Sequence, residues 1–573
     1  MTKPALKLAP YGESDFSILR ANNLAYVDKT EFIAKLESLP NRYPFIVRPR
    51  RFGKTLFTKT LQAYYDIAAA EDFERNFSDT YIGKHKTALA SSFHVIHLDF
   101  SNIDINLFTE GFVKKVQEGL HDFCVRYGFK KGLRIVKKNY PSPSFLLSDF
   151  IQEYKENYKE QIYLIVDEYD QGPNEVLATS LEDFQKLTGD GGLLKTFYSK
   201  IKELSAGGPI ARVFITGVTS IQLDSMTSGF SVAKNLTSDE RFASMFGFTE
   251  SELQQLIPQL VDLKKYGKTL DEVFFRMKEW YNGYCFNPDT SETVFNSSMC
   301  LNYLSSIADV GKEPPDMLDS SVANSLRKIE SILSLGDSSL VKSIVDKSLK
   351  NEAIDFGGTL QVLDLNQNNG LDQEALLSAL FYMGFLTYVS GNRRKLIVPN
   401  RAIGIQFFGY YFKNILKAPK YNFDDEEFAT AYSALAKGDP EPWLRLADAR
   451  LSEDSGLHLA THINEVAFQT MLSSTLWFSK SYRGRLESES RGKDSGFIDL
   501  LLKPQDSEEL PTYIIEIKHL KSDAKSSEVQ ASLEKAKMQA NRYATGEDLK
   551  EIPNLKRLAV VYLGLRLAAF EVF

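Results

Sequence analysis

Two groups of residues in this sequence have the types and spacing to do chemistry. One is Lys54, Thr55, Asp167 and Glu168; the other is Asp499, Glu516 and Lys518. The first group begins where the apolar run Phe45-Ile46-Val47 leads into Arg48-Pro49-Arg50-Arg51-Phe52-Gly53-Lys54-Thr55. A strand, a loop and then Gly-Lys-Thr opening a helix is the context of a phosphate-binding loop. The free amides and the positive end of the dipole at such a helix start favour phosphate. Lys54 would reach the β- and γ-phosphates of ATP, and the Thr55 hydroxyl would face Mg²⁺. One departure stands out: the generic G-x-x-x-x-G-K-[ST] pattern wants glycine where Arg48 stands.

The partner of that loop is Ile162-Tyr163-Leu164-Ile165-Val166, a buried-strand run ending in Asp167-Glu168. A carboxylate at the carboxyl end of a parallel strand lies at the crevice where such sheets bind ligands. Asp167 would hold Mg²⁺ directly or through water, and Glu168 would polarise the attacking water. Arg212–Val218 reads as a further strand. At its end Thr216 or Ser220 could sense a γ-phosphate, with a plain strand terminus as the equal alternative. Arg50, Arg51 and Arg241 are candidate charge stabilisers. The expected nucleotide site is therefore Arg51, Gly53, Lys54, Thr55, Asp167 and Thr216, with Thr55 and Asp167 on the metal.

In Tyr513-Ile514-Ile515-Glu516-Ile517-Lys518-His519-Leu520, period-two geometry puts Ile514, Glu516, Lys518 and Leu520 on one face. Two opposite charges bracketed by apolar residues are unusual, because burying an ion pair is costly. Asp499, inside the apolar run Phe497–Leu502, stands seventeen positions before Glu516. A hairpin would bring both carboxylates together beside Lys518. Two oxygen ligands suit Mg²⁺, which keeps waters and seeks phosphate oxygens, with Mn²⁺ as a substitute. Metal-activated water could then attack a phosphodiester, with Lys518 balancing the developing charge.

The elements that must position these residues follow from apolar periodicity. Residues 1–250 alternate strand-like runs (45–48, 94–100, 162–167, 212–218) with helices such as 54–65 and 193–204, the pattern of a mostly parallel α/β sheet. From Thr249 to about 380 the chain reads as helix. Residues 385–389 and 395–398 around Gly391-Asn392 then read as a β-hairpin. Helices followed by a hairpin fit a winged-helix-like module or a plain helical spacer, the latter favoured. Gly438-Asp439-Pro440-Glu441-Pro442 reads as a linker. Strands 497–502 and 513–519, a helix over 528–543 and a strand at 557–563 complete the chain. The fold expected is multidomain α/β, with a P-loop domain over 1–250, a helical lid or linker over 251–440 and a third domain over 441–573.

Tyr26-Val27-Asp28-Lys29-Thr30, the Arg48–Thr55 loop and Val166-Asp167-Glu168-Tyr169-Asp170 resemble the AAA-ATPase-like family. So do Ile215-Thr216-Gly217-Val218, Phe246-Gly247-Phe248-Thr249 and Trp280-Tyr281-Asn282-Gly283-Tyr284. Members of that family commonly carry a C-terminal PD-(D/E)xK nuclease domain of restriction-endonuclease-like fold. Arg48 in place of the first glycine is similar to the family's own variant loop. The resemblance covers about 10–300, Met383–Thr387, Pro399-Asn400 and the C-terminal region. There Ile498 stands where the superfamily name has proline. Glu465, in the apolar stretch His462–Leu472, matches the helical glutamate before the core hairpin, and Gln539 and Tyr543 match the following Gln-x-x-x-Tyr. The Tyr281–Tyr284 segment reads best as an aromatic turn around Gly283, and Glu489 as a solvated loop residue.

The 573 residues are 43% hydrophobic and 25% charged, the balance of a globular protein. Cys124, Cys285 and Cys300 form no C-x-x-C pair and read as reduced, buried thiols of an intracellular, cytoplasmic protein. No signal-peptide core follows Met1, and no apolar run reaches membrane-spanning length. The net charge of −7 argues against a histone-like binder, though a local basic patch can coexist with it. The function expected is an ATP-regulated or ATP-driven, Mg²⁺-dependent nuclease. Its partner would be nucleic acid, DNA over RNA, with a homo-oligomer as one arrangement. Alternatives are a nucleotide-dependent switch or scaffold that binds nucleic acid without cutting it, and an ATPase motor with a structural C-terminal domain.

Overall fold

Long apolar runs and amphipathic stretches fold here into two units in the computed structural model. One comprises residues 1–323, 327–340 and 353–403; the other comprises 324–326, 341–352 and 404–573. The structure describes the chain apart from residues 1–5, 178–179, 220–231, 315–316, 318–328, 350–351, 361–370, 411–425, 453–468, 470–471, 473–475, 477–481, 491–495, 505–509, 547–548 and 565.

The first unit is built on a parallel sheet in the order β2-β3-β4-β1-β5. Its strands are β1 (Pro44–Val47), β2 (Phe93–Asp99), β3 (Gln161–Asp167), β4 (Ile210–Gly217) and the short β5 (Lys234–Asn235). β1 and the body of β3 are buried throughout, which explains their unbroken apolar reading: helices cover both faces of a parallel sheet. Pairing of Val47 with Gly217 and of Asp99 with Asp167 aligns the carboxyl ends of four strands along one edge. Helix α1 (Lys54–Tyr65) starts at that edge. The unit continues through α2 (Phe108–Tyr127), α3 (Lys130–Val136), α4 (Pro143–Asn157) and α5 (Leu193–Ser205).

A helical middle follows, including α6 (Glu250–Leu260), α7 (Leu270–Tyr281), α8 (Ser297–Val310) and α9 (Gln373–Tyr382). Capping boxes at Thr249/Glu252 and Thr269/Glu272 fix the starts of α6 and α7. The expected hairpin is present as β7 (Thr387–Val389) and β8 (Asn392–Ile397), with Gly391 at φ +74° in its turn. A third strand, β6 (Ile354–Asp355), makes the small sheet β6-β8-β7.

The second unit carries a mixed sheet in the order β13-β12-β11-β10-β9. Its strands are β9 (Tyr482–Ser490), β10 (Gly496–Pro504), β11 (Thr512–Leu520), β12 (Leu555–Leu563) and β13 (Arg566–Val572). β10 runs antiparallel to β9 and β11, whereas β11 and β12 are parallel. Helix α12 (Ser526–Ala544) covers this sheet, with Ala540 and Tyr543 against Ile498 and Ile514, and Leu533 and Ala536 against Ala559 and Val561.

Three sequence expectations need correction. β9 and β13 are edge strands absent from the expected strand set: β9 (YRGRLESES) is polar, whereas β13 (RLAAFEV) has only a short apolar run between charged residues. Glu489, read as a loop residue, lies on β9 opposite Phe497. Gly438–Pro442, read as a linker, is the turn of a helical hairpin within the second unit. Gly438 adopts φ +96° between α10 (Glu426–Ala436) and α11 (Glu441–Ser452). Trp443 and Leu444 are fully buried, and the Tyr513 hydroxyl donates to the Leu435 carbonyl at 2.8 Å.

Candidate functional sites

The Arg48–Thr55 loop is shaped by backbone that side chains rarely adopt. Arg51 has φ +71° and Gly53 φ +88°, so the chain curls before α1 begins. A non-glycine residue in that region costs about 1–3 kcal/mol unless its surroundings hold it. Here they do: the Arg51 carbonyl accepts from the Ser298 amide (3.2 Å) and the Ser297 hydroxyl (3.1 Å), and the Phe52 carbonyl from the Gly247 amide (3.0 Å). Gly53 offers no side chain to cap α1, so the first-turn amides of that helix remain available to an anion.

Arg48 settles why the first glycine is dispensable. It is 1% exposed and points away from the loop, its guanidinium donating to the carbonyls of Val47 (2.8 Å), Thr237 (2.7 Å) and Phe242 (3.0 Å). It also lies 4.3 Å from the Phe286 ring centroid. Burial without an acidic partner pushes its pKa down to about 9. Arg48 therefore ties the end of β1 to the segment after β5.

Other residues of the motifs singled out in the sequence brace this part of the unit as well. Phe52 packs edge-on against Tyr284 and Phe286. Gly384 approaches Pro49 so closely that a Cβ there would sit 2.8 Å from the Pro49 Cβ. Gly283, at φ +93°, faces the Pro399 carbonyl, confirming an aromatic turn that requires glycine. Asp28 accepts from the amides of Thr30 (2.9 Å) and Tyr81 (2.6 Å), while Lys29 pairs with Glu252 at 2.7 Å.

Lys54 and Asp167 converge at the sheet edge. The Lys54 ammonium is 3.2 Å from the Pro49 carbonyl and 3.6 Å from the Glu168 carboxylate. Asp167 is 1% exposed and accepts from the Thr58 hydroxyl at 3.1 Å. Burial, then the Glu168 charge, raises its pKa to about 6, against the opposing pull of Lys54. Asp99, aligned with it on β2, pushes the same way; sequence reasoning missed it because the contact is set by strand register. Glu168 adopts φ +48° and holds a buried carboxylate oxygen with no hydrogen-bond partner among the described residues. Asp170, quoted in the motif but given no role, is fully buried. It accepts from the amides of Val218 (3.0 Å) and Thr219 (2.6 Å), locking β3 to the end of β4.

A cavity of about 280 Å³ opens beside the loop. Gly53, Lys54, Thr55 and Glu168 line one side, and Ala25, Val27, Met245, Phe246 and Phe248 another. Arg51 also reaches it. Thr216 is placed differently: it is fully buried, and its hydroxyl donates to the Ile46 carbonyl at 2.8 Å between β1 and β4. Arg50 and Arg241 are exposed, the latter paired with Asp239 at 2.6 Å. Ser220 lies outside the described residues.

In the second unit the expected hairpin is formed. β10 and β11 pair with Leu500 opposite Ile515, which sets Asp499 beside Glu516. The Asp499 amide faces the Glu516 carboxylate at 3.3 Å, and the Asp499 carboxylate accepts the Ile517 amide at 2.7 Å. The Lys518 ammonium lies 3.7 Å from Asp499 and 3.9 Å from Glu516. Glu516 is 1% exposed, and its pKa is pushed well up by burial and then by the Asp499 charge, Lys518 opposing. A cation replacing that proton would relieve both causes, so the donor set fits a divalent ion. Among the described residues no group of three or more His, Cys, Asp and Glu side chains gathers into a complete metal cage.

Gln539 stands on α12 one turn before Tyr543, with a buried side-chain oxygen lacking a partner among the described residues. Tyr543 packs on the start of β10, where a Cβ on Gly496 would lie 2.4 Å from its ring. Glu465 lies outside the described residues.

The first unit, a parallel sheet with a loop opening into a helix at its carboxyl edge, has a P-loop ATPase fold, and the second, a mixed sheet bearing an Asp/Glu/Lys cluster, has a PD-(D/E)XK fold. Comparison with known proteins agrees on both. Residues 10–227 match the family model for predicted AAA-ATPases, and residues 463–567 match that of the PD-(D/E)XK nuclease superfamily. A curated relative, an uncharacterized protein from the vnfD 5' region of Azotobacter chroococcum, is 26% identical over 293 residues. That match covers 51% of this chain, and the chain spans 50% of the relative. Among solved structures, a Walker-type ATPase of Pyrococcus abyssi matches at 11% identity and a TM-score of 0.34, covering 71% of this chain and 99% of that one. Cdc6p from Pyrobaculum aerophilum matches at 12% and 0.25, covering 70% and 93%. No helix of the described residues is long and apolar enough to cross a membrane.

Proposed function

We propose that this chain is an ATP-binding, metal-dependent nuclease whose cleavage of nucleic-acid phosphodiester bonds is regulated or driven by its ATPase region. The domains proposed are an ATPase over 1–250, a helical lid over 251–440 and a nuclease over 441–573. The observation carrying this reading is the convergence of Asp499, Glu516 and Lys518 within 4 Å on otherwise apolar strands. A simple buried ion pair needs one acid and one base; a second carboxylate raises the cost of burial. Such perturbed acids point to function.

Asp499 and Glu516 would hold Mg²⁺ or Mn²⁺, which would supply an activated water and Lewis acidity at the scissile phosphate. The Ile517 amide holds Asp499 in place, and Lys518 stands where it can orient the attacking water and offset charge on the phosphate. In the first unit Lys54 and the α1 amides would bind the ATP phosphates, with Thr55 and Asp167 on Mg²⁺. The apolar wall at Ala25, Val27 and Phe246 would take the base. Glu168, with its unpartnered oxygen, would hold the hydrolytic water. Lys54 would leave Glu168 for the phosphates when nucleotide binds. DNA is favoured as substrate by the family resemblance.

The test is cleavage of DNA and RNA with Mg²⁺ or Mn²⁺, with and without ATP, in the wild-type protein, Asp499→Ala and Lys54→Ala. Asp499→Ala is expected to abolish cutting and Lys54→Ala to remove its ATP dependence. Full activity of Asp499→Ala would overturn the site. ATP turnover without any cleavage would favour a nucleotide-dependent scaffold.

A further inference from the structure

The net charge of −7 hides a strong local exception. Between Asp122 and Asp149 the sequence has six basic residues and no acidic one: Arg126, Lys130, Lys131, Arg134, Lys137 and Lys138. All six are exposed. They lie at the end of α2 and along α3, which anchors itself through buried Gly132, Ile135 and Val136. Arg126 bridges Asp66, and Lys131 lies 3.3 Å from Glu153. Lys130, Arg134, Lys137 and Lys138 have no carboxylate within 4 Å among the described residues.

The spacing makes three of these a row, and Lys138 directly follows its last member. Lys130 and Arg134 are one helical turn apart on α3, and Lys137 follows another turn on. From Lys130 to Lys137 the row spans about 10 Å at 1.5 Å per residue, enough to face successive phosphates. Four unneutralised cations side by side repel one another, a cost that an anionic partner removes.

The position of the row matters too. Tyr127, which ends α2, accepts the Val95 amide at 2.8 Å and stacks on His94. The end of α2 therefore lies near the start of β2, whereas Lys54, Asp99 and Asp167 stand at the carboxyl edge. β2 is also an outer strand of the sheet. The row is thus remote from the nucleotide site along the strands.

We propose that Lys130, Arg134, Lys137 and Lys138 form a nucleic-acid backbone contact on the ATPase unit, engaging phosphates without reading bases. This rests on the proposed nuclease reading, which supplies the kind of polyanion. It would give the ATPase unit a grip on the substrate of its own.

The test measures binding of the full chain to labelled duplex and single-stranded oligonucleotides in EDTA, across a salt series, by fluorescence anisotropy. The variants are Lys130→Gln/Arg134→Gln/Lys137→Gln/Lys138→Gln, and the charge-keeping Lys130→Arg/Arg134→Lys/Lys137→Arg/Lys138→Arg. Each phosphate contact contributes about 0.9 to the slope of log K against log salt on duplex DNA. The four-Gln variant should therefore lose about 3–4 of that slope. Between about 50 and about 200 mM salt, wild-type affinity should fall about 100-fold more than that of the variant. The charge-keeping variant should retain the slope, and binding of a fluorescent ATP analogue should be unchanged in both. An unchanged slope in the four-Gln variant would overturn the proposal. So would loss of binding to phosphatidylserine vesicles alone, which would assign the row to a lipid surface. Because binding is read without cleavage, an inactive Asp499 site would leave this outcome readable.

Discussion

In the first unit the candidate residues stand at or beside the ends of regular elements. Arg51 and Glu168 sit at positive φ, Gly53 ends a curled loop, and the Arg51 carbonyl is held by Ser297, far along the chain. In the second unit Asp499, Glu516 and Lys518 stand inside regular strands, and pairing of two neighbours aligns them. One site depends on strained backbone held by long-range braces; the other depends on period and register. Damage to a brace should therefore unsettle the first site, whereas the second should yield only to loss of its own charges.

The largest expected effect is chemical. Asp499→Ala and Glu516→Gln should each lower Mg²⁺-dependent cleavage by more than about 100-fold, the upper end of what outer partners of a metal site cost. Circular dichroism should remain native, because β10 and β11 keep their other partners, β9 and β12. Collapse of the fold in these variants would break the contrast between the sites.

Arg48→Gly sharpens it from the other side. The generic motif would count this change as a restored glycine, but three carbonyls would lose a buried cationic donor. With buried carbonyls left short of a donor at about 1–3 kcal/mol each, we expect a loss of about 3–5 kcal/mol in thermal unfolding of the first unit and weaker nucleotide binding. Tighter nucleotide binding at unchanged stability would refute the role of the brace.

Gly283→Ala should cost about 2–3 kcal/mol, since φ is +93° and the Pro399 carbonyl oxygen lies 1.9 Å from the new Cβ position. Gly391→Ala, with φ +74° and open space around it, should cost only about 1 kcal/mol. Equal losses in urea titration would show that the turn near Pro399 is no brace.

The last effect is a pH slope. His97 on β2 accepts from the Lys59 ammonium at 2.9 Å, and burial, followed by that charge, pushes its pKa down to about 3. The unfolded chain takes up this proton below about 6.5, whereas the folded chain does not until about pH 3. Stability contributed by neutral His97 is therefore present above that window and lost as pH falls through it. His97→Gln should remove about one proton, or about 1.4 kcal/mol per pH unit, from the slope between pH 6 and 4. An unchanged slope would show that His97 titrates normally in the fold.

Much of both sites was legible in the residues. The helix expected over 54–65 matches Lys54–Tyr65, and the strand expected over 513–519 lies within Thr512–Leu520. Period-two reading placed Glu516 and Lys518 on one face, which the ion-pair distances bear out. The edge strand β9 escaped because its sequence, YRGRLESES, carries no continuous apolar run, whereas β13 did carry the run Leu567–Phe570. Gly438–Pro442 looked like a linker because turn composition is the same between domains and between two packed helices.

What the sequence determined by itself was local: which segments are strands or helices, and which carboxylates lie on apolar strands. Those properties depend on side-chain period and on the conformational limits of glycine and proline. Only the tertiary structure decided that Arg48 turns inward to the Thr237 and Phe242 carbonyls, nearly two hundred residues away. It likewise decided that Asp99 shares an edge with Asp167, and that Thr216 gives its hydroxyl to Ile46. Partners so distant along the chain are chosen by packing and strand order, which no local pattern encodes.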